Sequence, residues 1–399
     1  MILPSYDVIV VGAGPAGSVT ARNLARAGYA VLLCEKRPVV GVPVRCGEAT
    51  GPAKRISDFT TLDEAWIETR FSGVVFHGPG GVSFKYDAGR ELGIMLDRRL
   101  FDQHLAREAE AAGAHLRTGA RVTDVGPDAD GHRVVTLEHD GVFHHVKTKM
   151  VVGADGAESL VGRMAGLKTR QLPNGTCTAI ELRIRTQDPN PDCLTFWGGA
   201  EHIDKGYVWA FPKVKSGVVN LGSGELIPKL GAKTQLQIST EFRDKYYPGA
   251  VIEEVHGGAV PVSGHMQEYT AGRLALVGDA AHHTNPLTGG GIVPGMLGGE
   301  YLATWIDKGF KAGDLSHGFL KGYEQAMWER NGKNHLREMR MRDFVLGLDR
   351  PNQVSFYRAL KGMVDGNLSL PSKIVGYSKL GALGLKNFGL LRKTVLAKV

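Results

Sequence analysis

The chain has 399 residues, of which 43% are hydrophobic and 22% are charged, and its formal net charge is +7. A chain of this length is too long for one compact core, so we expect two or three subdomains. The composition is ordinary for a soluble globular protein. Four widely spaced cysteines without C-x-x-C or zinc-ligand spacing argue against a disulfide framework and indicate a reducing, cytoplasmic location. The longest uncharged stretch contains prolines, histidines and many glycines, which makes it a poor membrane span.

The first predicted unit is a nucleotide-binding strand, turn, helix and strand. The apolar strand YDVIVV runs into the turn GAGPAG, a helix follows, and the next strand ends at Glu35. Gly12 permits the tight turn, Gly14 lets a pyrophosphate approach the backbone, and Gly17 allows close helix–sheet packing. Glu35 lies where a carboxylate accepts hydrogen bonds from both ribose hydroxyls. No basic region precedes the apolar strand, so it is not a signal peptide.

The stretch PVRCGEAT, residues 43–50, follows this unit. It places a lone thiol, Cys46, between Arg45 and the pair Gly47-Glu48. An adjacent cation lowers the pKa of a thiol, so the pattern favours a thiolate at Cys46. A small packing residue is the alternative interpretation. Glu48 is a candidate member of a proton-delivery path.

Two later segments repeat the pattern of a strand that ends in a glycine turn. KMVVGADGAESLVGRMAG places Asp155 after one strand, and GRLALVGDAAHHTNPLTGGGIVPGM places Gly278 and Asp279 after another. Asp279 is positioned to accept hydrogen bonds from ribityl hydroxyls. A helix that opens near Gly290 offers backbone N–H groups to the pyrimidine edge of a flavin, where negative charge develops on reduction.

These three segments together resemble the fingerprints of the FAD enzymes built like p-hydroxybenzoate hydroxylase, over about residues 6–300. The resemblance implies an α/β fold with a glutathione-reductase-type Rossmann domain for FAD, an antiparallel-sheet substrate domain and a C-terminal helical region. It implies FAD as the cofactor, with Arg98 in contact with the flavin and Val122 in backbone contact with adenine, although sheet packing is the alternative for both. The other cofactor contacts that it implies are Ala16, Lys36, Arg45, Cys46, Gly47, Asp155, Gly290, Gly291 and Ile292.

The segment GYVWAFPK predicts a strand whose alternate residues Tyr207, Trp209 and Phe211 share one face. The glycine-rich strand VVNLGSG follows and is expected to pair with it as a hairpin. Glycines beside aromatic rings leave a slot, so this face is a candidate wall for a flat or long apolar ligand. An ordinary sheet core is the alternative interpretation.

PVRCGE and GYVWAFPK also resemble the geranylgeranyl reductase family, and its archaeal digeranylgeranylglycerophospholipid reductase branch in particular. The resemblance implies that reduced FAD saturates C=C bonds in the geranylgeranyl chains of isoprenoid ether phospholipids. It implies that the Cys46 loop lies over the isoalloxazine, with Glu48 and the three aromatic residues at the reacting site.

The same resemblance implies a reduced electron donor, which is ferredoxin, F420 or a nicotinamide. Two alternatives stay open. One is another prenyl substrate, such as a chlorophyll or quinone side chain. The other is an FAD-dependent aromatic monooxygenase or halogenase, because Gly-Asp-Ala-Ala-His at residues 278–282 also occurs in aromatic hydroxylases.

The end of the chain carries most of the positive charge. From residue 330 to 399 there are 14 Lys/Arg and 4 Asp/Glu, a net charge of +10. Residues 374–399 interleave apolar side chains with lysine and arginine and contain no acid, which is the composition of an interfacial helix. Such a helix would hold the protein peripherally at the cytoplasmic membrane face. A tail packed on its own core or on a partner subunit is the alternative.

Nucleic acid is not an expected partner, because no nucleic-acid-binding motif accompanies the charge. No metal site is expected either, since the adjacent His282 and His283 cannot share one face and no third ligand is in view. The predicted domain boundaries are 1–60, 95–165 and 260–325 for the FAD domain, 70–94 and 166–259 for the substrate sheet, and 326–399 for the basic helical region.

Overall fold

The computed structural model describes residues 1–169, 174–186, 192–227, 233–387 and 390. Over these residues the chain forms three sheets and a helical C-terminal region, in agreement with the α/β prediction. The strands are β1 (Ser5–Val11), β2 (Val31–Glu35), β3 (Ala49–Thr50), β4 (Ile67–Phe71), β5 (Gly73–His77), β6 (Ser83–Asp87), β7 (Gly93–Leu96), β8 (His115–Thr118), β9 (Arg121–Val125), β10 (Arg133–His139), β11 (Val142–Gly153), β12 (Thr176–Arg185), β13 (Cys193–Gly198), β14 (Gly206–Lys213), β15 (Val218–Leu226), β16 (Val251–Pro261), β17 (Thr270–Ala271) and β18 (Leu274–Leu276). The helices are α1 (Pro15–Arg26), α2 (Ala53–Ser57), α3 (Arg98–Ala111), α4 (Leu160–Met164), α5 (Gln235–Tyr246), α6 (Ile292–Ala312), α7 (His317–Met327), α8 (Lys333–Leu346), α9 (Arg350–Asp365) and α10 (Leu370–Lys386).

The first sheet carries the predicted nucleotide-binding unit. Its strands run in the order β17-β18-β11-β1-β2-β8, and β9 and β10 extend it beside β11. Strand β1 pairs in parallel with β2 and with β11. The side chains of Val8, Ile9 and Val10 are fully buried, as expected for a parallel strand that is covered on both faces.

Glycines allow α1 to lie against the first turn and against α6. A Cβ on Gly17 would lie 1.9 Å from the carbonyl oxygen of Gly12, and a Cβ on Gly299 would lie 2.6 Å from that of Ala16. Neither position accepts a side chain without a shift of the backbone. The two glycine loops of the sequence are therefore brought together by one close helix pair.

The second sheet has the order β16-β12-β15-β14-β13-β5-β6, and its neighbours are antiparallel except for β13 and β5. Strands β14 and β15 form the predicted hairpin, with Trp209 opposite Gly222 and Tyr207 opposite Gly224. Helix α5 packs on one face of this sheet. The opposite face, which includes Trp209, is called the cavity face below. The third sheet, β3-β7-β4, follows the PVRCGE loop.

The C-terminal helices pack on the second sheet. Helix α9 contacts β6 and the turn at residues 79–81. Tyr357 fills the space above two glycines, because a Cβ on Gly198 would lie 2.2 Å from its hydroxyl and a Cβ on Gly78 would lie 2.4 Å from its ring. Helix α10 packs on α9. The predicted interfacial segment is helical up to Lys386, and its residues 388, 389 and 391–399 lie outside the described residues.

Four histidines form a largely buried cluster behind the loop that precedes α6. The ring centre of His265 lies 4.8 Å from that of His283 and 5.3 Å from that of His335. A nitrogen of His282 lies 2.8 Å from the hydroxyl of Ser263. Burial lowers the pKa of His265 to about 3 and the pKa values of His282 and His335 to about 4. Among the residues that the structure describes, no group of His, Cys, Asp or Glu is arranged to hold a metal ion.

The neutral histidines predict the pH dependence of stability. In the unfolded chain an imidazole binds its proton near pH 6.5, whereas these folded groups stay neutral to a lower pH. The unfolded state therefore binds more protons as the pH falls from about 7 to about 5, and the free energy of unfolding should drop by up to about 1.4 kcal/mol per pH unit for each histidine. Denaturant titrations across this range measure the slope. His335→Gln should flatten it, whereas His132→Gln, at an exposed position, should not. Equal slopes in both variants would contradict the prediction.

Candidate functional site

A cavity of about 1780 Å³ lies between the first sheet, the cavity face of the second sheet and helices α6, α8 and α9. Pockets for one small ligand are roughly 300–1,000 Å³, so this space is large enough for a nucleotide cofactor and a second ligand. The end beside the GAGPAG turn is called the nucleotide end. The end lined by β14 and α9 is called the aromatic end.

The turn at the nucleotide end fits a pyrophosphate. Gly12 has a φ of +105°, and a Cβ there would lie 2.3 Å from the carbonyl oxygen of Ala154, so glycine is required. No atom lies within 4 Å of the Cβ position of Gly14, which leaves its backbone open to the cavity. Helix α1 begins here without a side-chain cap, and uncapped N–H groups at a helix N-terminus bind anions.

The carboxylate of Glu35 lies beside this turn and lines the cavity. Its Oε2 accepts a hydrogen bond from the backbone N–H of Ala13 at 3.1 Å, and its Oε1 accepts one from that of Arg37 at 3.0 Å. An ionised carboxylate has about four acceptor sites, so it also has capacity for ribose hydroxyls. Lys36 and Val122 line the same end of the cavity.

The start of α6 fits the pyrimidine edge of a flavin. Gly290, Gly291 and Ile292 line the cavity, and the helix begins at Gly291 without a side-chain cap. A Cβ on Gly291 would lie 2.8 Å from Oδ1 of Asp279, so the glycine lets this carboxyl group approach. The same oxygen accepts a hydrogen bond from the hydroxyl of Thr284 at 2.8 Å. Burial raises the pKa of Asp279.

Several residues that the sequence assigns to the cofactor have packing or capping roles. Ala16 and Gly278 face each other, since a Cβ on Gly278 would lie 2.9 Å from that of Ala16. The carboxylate of Asp155 lines the cavity but accepts hydrogen bonds from the hydroxyl of Ser159 and the backbone N–H of Val161, which caps α4.

Arg98 also contacts another side chain of its own helix. Its guanidinium group forms a two-bond ion pair with Asp102 at 2.6 and 2.7 Å. Arg98 is the first residue of α3, and Asp102 is one turn further along, so the pair orients the guanidinium within the helix. The structure does not place Arg98 among the cavity-lining residues that it describes.

A buried ion pair holds the Cys46 loop. The ammonium group of Lys213 lies 2.7 Å from Oε2 of Glu48, and the two side chains are 0% and 2% exposed. Glu48 also accepts hydrogen bonds from the side chain of Asn220 at 2.9 Å and from the backbone N–H of Arg98 at 2.8 Å. Glu48 has a φ of +65°, which is unusual for a residue with a side chain, and its own N–H donates to the Cys46 sulfur. These contacts hold the Glu48 carboxylate in place between the second sheet and the start of α3.

The expectation of a thiolate at Cys46 is wrong. Arg45 is exposed and does not act on the sulfur, and the cation beside Cys46 is Arg98 instead. Burial raises the pKa of the thiol, and the opposing charge of Arg98 does not offset this effect. Cys46 is therefore a neutral, polarisable group on the cavity wall.

Side chains of β14, called the aromatic strand below, line the cavity and contact other parts of the fold. The indole N–H of Trp209 donates to Oε2 of Glu181 at 3.0 Å, and the hydroxyl of Tyr207 donates to the carbonyl oxygen of Thr288 at 2.6 Å. A Cβ on Gly222 would lie 2.2 Å from the Trp209 ring. The slot that the sequence predicts beside this glycine is therefore filled by the indole ring, because Trp209 needs that space to reach β12.

Further apolar side chains extend the wall beyond β14. The ring centre of Phe196 lies 5.2 Å from that of Phe211 and 5.4 Å from that of Phe76. From the C-terminal region, Leu360 and Met363 of α9 line the same space. The cavity wall therefore combines three sheet strands, β5, β13 and β14, with a helix from the far end of the chain.

The sequence interpretation does not include Lys213, Glu181 or the α9 side chains. Lys213 occupies the next alternate position after Tyr207, Trp209 and Phe211, so strand periodicity places it on the cavity face. Glu181 is the one acid in the strand segment TCTAIELRIR, which is a signal for a buried polar group. No comparable local signal identifies the α9 side chains as cavity-lining residues. The spacing of apolar residues in α9 predicts a buried face, but it does not predict which part of the fold packs against that face.

The Lys213–Glu48 pair predicts a large difference between two lysine variants. Lys213→Met should lower the free energy of unfolding by about 3–5 kcal/mol, because it leaves the Glu48 carboxylate buried without its counter-charge. Lys85→Met removes a half-exposed partner of Asp87 at 3.7 Å, and such surface pairs contribute about 0–1 kcal/mol. Denaturant titration of both variants measures the difference. Similar losses would show that the buried pair does not stabilise the fold.

Comparison with protein families identifies a cofactor-binding relationship. The family described as FAD binding domain matches residues 5–218. This match contains the GAGPAG turn, Glu35, the Cys46 loop and the aromatic strand. It covers more than half of the chain, and it confirms FAD as the cofactor to which the nucleotide end is fitted.

Individual relatives share a narrower name. A protein of Methanococcoides burtonii named digeranylgeranylglycerophospholipid reductase 1 is 38% identical over 324 residues, which are 80% of this chain and 79% of that protein. A digeranylgeranylglycerophospholipid reductase of Methanocella arvoryzae is 34% identical and covers 93% of this chain and 98% of its own.

Solved structures agree with both matches. A crystal structure from Thermoplasma acidophilum, described as geranylgeranyl bacteriochlorophyll reductase-like, has a TM-score of 0.88 at 30% identity and covers 97% of this chain and 99% of its own. The p-nitrophenol 4-monooxygenase of Pseudomonas putida has a TM-score of 0.72 at 20% identity, over 98% and 99% of the two chains, and shares the fold alone. The chain therefore belongs to the FAD binding domain family and, within it, to the geranylgeranyl reductases that include the archaeal digeranylgeranylglycerophospholipid reductases.

Proposed function

We propose that this chain uses FAD to saturate C=C bonds in the geranylgeranyl chains of archaeal isoprenoid phospholipids, as the names of its relatives indicate. The observation that carries the proposal is that one cavity joins the nucleotide end to the aromatic end. A geranylgeranyl chain is long, flexible and apolar, and the aromatic end offers it ring and aliphatic surfaces from β13, β14 and α9.

FAD, when reduced, supplies the hydride for such a reaction. The residues of the chain bind and orient the reactants. The uncapped start of α1 would hold the pyrophosphate, Glu35 would hold the ribose, and the start of α6 would hold the flavin edge. The Cys46 loop meets the aromatic strand at Gly47, whose Cβ position lies 3.2 Å from the ring of Phe211. This junction holds an alkene against the cofactor.

The wall around this junction excludes water. The side chains of Phe71, Trp209 and Phe211 are each less than a tenth exposed, and they pack in one cluster with Leu194 and Met95. An isolated alkene offers no oxygen on which charge is held during its reduction. A dry site with aromatic faces therefore supports cationic character on carbon and limits side reactions.

The activity is tested with anaerobic holoenzyme that has been reduced by dithionite, so the result does not depend on whether ferredoxin, F420 or a nicotinamide is the natural donor. A digeranylgeranyl phospholipid should reoxidise the FAD, and mass spectrometry should show two added hydrogens per saturated bond. The fully saturated lipid is the control and should leave the FAD reduced. Oxidation only by oxygen, with hydroxylation or halogenation of an aromatic compound, would support the monooxygenase or halogenase alternative instead.

The same assay tests the role of Cys46. Cys46→Ala should retain FAD and change the rate or the number of bonds saturated, because it alters the wall at the junction of the two ends. Cys193→Ala removes a buried thiol that is not among the described cavity-lining residues and is the matched control. Wild-type kinetics in Cys46→Ala would make Cys46 a packing residue only.

We also propose that α10 docks the protein on an anionic membrane surface. Ile374, Tyr377 and Leu385 are 59%, 63% and 73% exposed, and Lys379 and Lys386 lie exposed on the same helix. The helix contains no acidic residue, and its other face packs on α9. None of the described helices is long and apolar enough to cross a bilayer. A surface with apolar and basic residues suits an interfacial contact with anionic lipid.

Sedimentation with anionic phospholipid vesicles tests this surface. Binding should weaken as salt is added, and the double variant Lys379→Glu/Lys386→Glu should weaken it strongly at low salt, since each basic group near an anionic surface contributes about 1 kcal/mol. Lys311→Glu, on an exposed position of α6, is the matched control and should bind as the wild type does. Equal binding by the double variant and the control would contradict the proposal.

A further inference from the structure

Saturation of a C=C bond needs a proton as well as a hydride. Arg45 is exposed, and the other titratable side chains that line the cavity near the Cys46 loop include Cys46, Glu48, Tyr207, Glu181 and His256. Glu48 is held by an ion pair and two further hydrogen bonds. The hydroxyl of Tyr207 already donates its proton to a backbone carbonyl. His256 pairs with the carboxylate of the neighbouring Glu254 at 3.0 Å.

Glu181 differs from these groups in its position and its partners. It lies in the middle of β12, 5% exposed, and its Oε2 lies 3.6 Å from the Cβ position of Gly47. Within the described part of the chain, the side-chain group that donates a hydrogen bond to it is the Trp209 indole. The carboxyl group therefore stands beside the loop where the two ends of the cavity meet.

The sheet is built so that this contact can form. Strand β15 lies between β12 and β14, and its Gly222 is the residue opposite both Glu181 and Trp209. Because Gly222 has no side chain, the indole crosses β15 and reaches the carboxyl group on β12. Any larger residue at this position would separate the pair, since its Cβ would lie 2.2 Å from the indole ring.

We propose that Glu181 is the general acid that protonates the alkene during its reduction, and this inference rests on the reductase function proposed above. The carboxyl group donates its O–H proton to one carbon of the double bond while the other carbon receives the hydride. Trp209 holds the carboxyl group in place through one oxygen. Glu181 is therefore a catalytic residue, whereas Glu48 and Lys213 are positioning residues.

The surroundings of Glu181 favour its protonated form. Burial raises its pKa well above the usual value, and the negative charge of Glu48 raises it further. The Trp209 hydrogen bond and the charges of Lys213 and Arg183 oppose this shift. His256 on β16 is its cross-strand neighbour, and burial lowers the pKa of that imidazole. A neutral histidine adds no positive charge that would ionise the carboxyl group.

The step balances in atoms and electrons. The π bond of the alkene breaks. One new C–H bond forms from the hydride with its two electrons, and the other forms from the two π electrons and the proton of the carboxyl group. Reduced FAD is thereby oxidised, and Glu181 is left as a carboxylate. The carboxylate then takes a proton from solvent, which restores the acid for the next double bond. Positive character that develops on carbon lies beside the ring of Trp209, where a π face stabilises it.

Glu181→Gln in the holoenzyme is the test, because the amide oxygen keeps an acceptor for Trp209 but the side chain has no acidic proton. Infrared difference spectra of wild type and variant, recorded without lipid, should show a protonated carboxyl group at neutral pH that is absent from Glu181→Gln. In single turnovers with the dithionite-reduced enzyme and a digeranylgeranyl phospholipid, the variant should oxidise its FAD about 10²–10⁴-fold more slowly, the usual contribution of a general acid. FAD content and lipid binding should be unchanged.

Glu225→Gln is the matched control, because Glu225 is a buried acid on β15 whose carboxylate contacts Gln235 at the start of α5. It should reduce the lipid at the wild-type rate. If Glu181→Gln also keeps that rate, the assignment of Glu181 is overturned while the reductase function stands. If the wild type does not reduce the lipid, the proposed function fails, and the inference fails with it. If Glu181→Gln does not retain FAD, infrared spectra of the wild type and of Glu181→Asp, recorded as a function of pH, replace the kinetic test. An ionised Glu181 carboxylate at neutral pH in the wild type would overturn the proposal.

Discussion

The buried contact between Lys213 and Glu48 sets the shape of the whole site. Lys213 ends the aromatic strand of the second sheet, and Glu48 belongs to the loop that follows the nucleotide-binding unit. The backbone of Arg98 at the start of α3 binds the same carboxylate. Three parts of the fold therefore meet at one carboxylate. A buried charge without its partner is costly, so the loop stays on the sheet, and the nucleotide end and the aromatic end keep one relative position.

Three titratable groups of the cavity wall beside the Cys46 loop favour their neutral forms. Burial raises the pKa values of Cys46, Tyr207 and Glu181, which favours the protonated thiol, phenol and carboxyl group. The Lys213–Glu48 ion pair lies behind the loop, and its two charges compensate each other. This arrangement suits an apolar substrate, because a net charge on the wall would bind water and ions in the space that the prenyl chain needs.

Local patterns predict the parts of the site that depend on neighbours in sequence. The strand and glycine turn around Gly12, the loop before Gly291 and the hairpin of Trp209 are all correct in the structure, because strand alternation and turn glycines are short-range signals. The charge state of Cys46 is not predictable in this way. The sequence neighbour Arg45 faces solvent, and the cation that acts on the sulfur comes from α3. The same limit applies to Glu181, whose partner is two strands away across Gly222.

The placement of α9 has a consequence for the order in which the protein is made. The nucleotide end is complete once the start of α6 has left the ribosome, and α9, which carries Tyr357, follows dozens of residues later. Since domains fold as they emerge, N-terminal parts first, we expect the nucleotide end to fold while the cleft beside it is still open. The ring of Tyr357 then settles over Gly78 and Gly198 and adds the last wall. The residues of the nucleotide end are therefore in place for FAD before the α9 wall of the cavity has been synthesised.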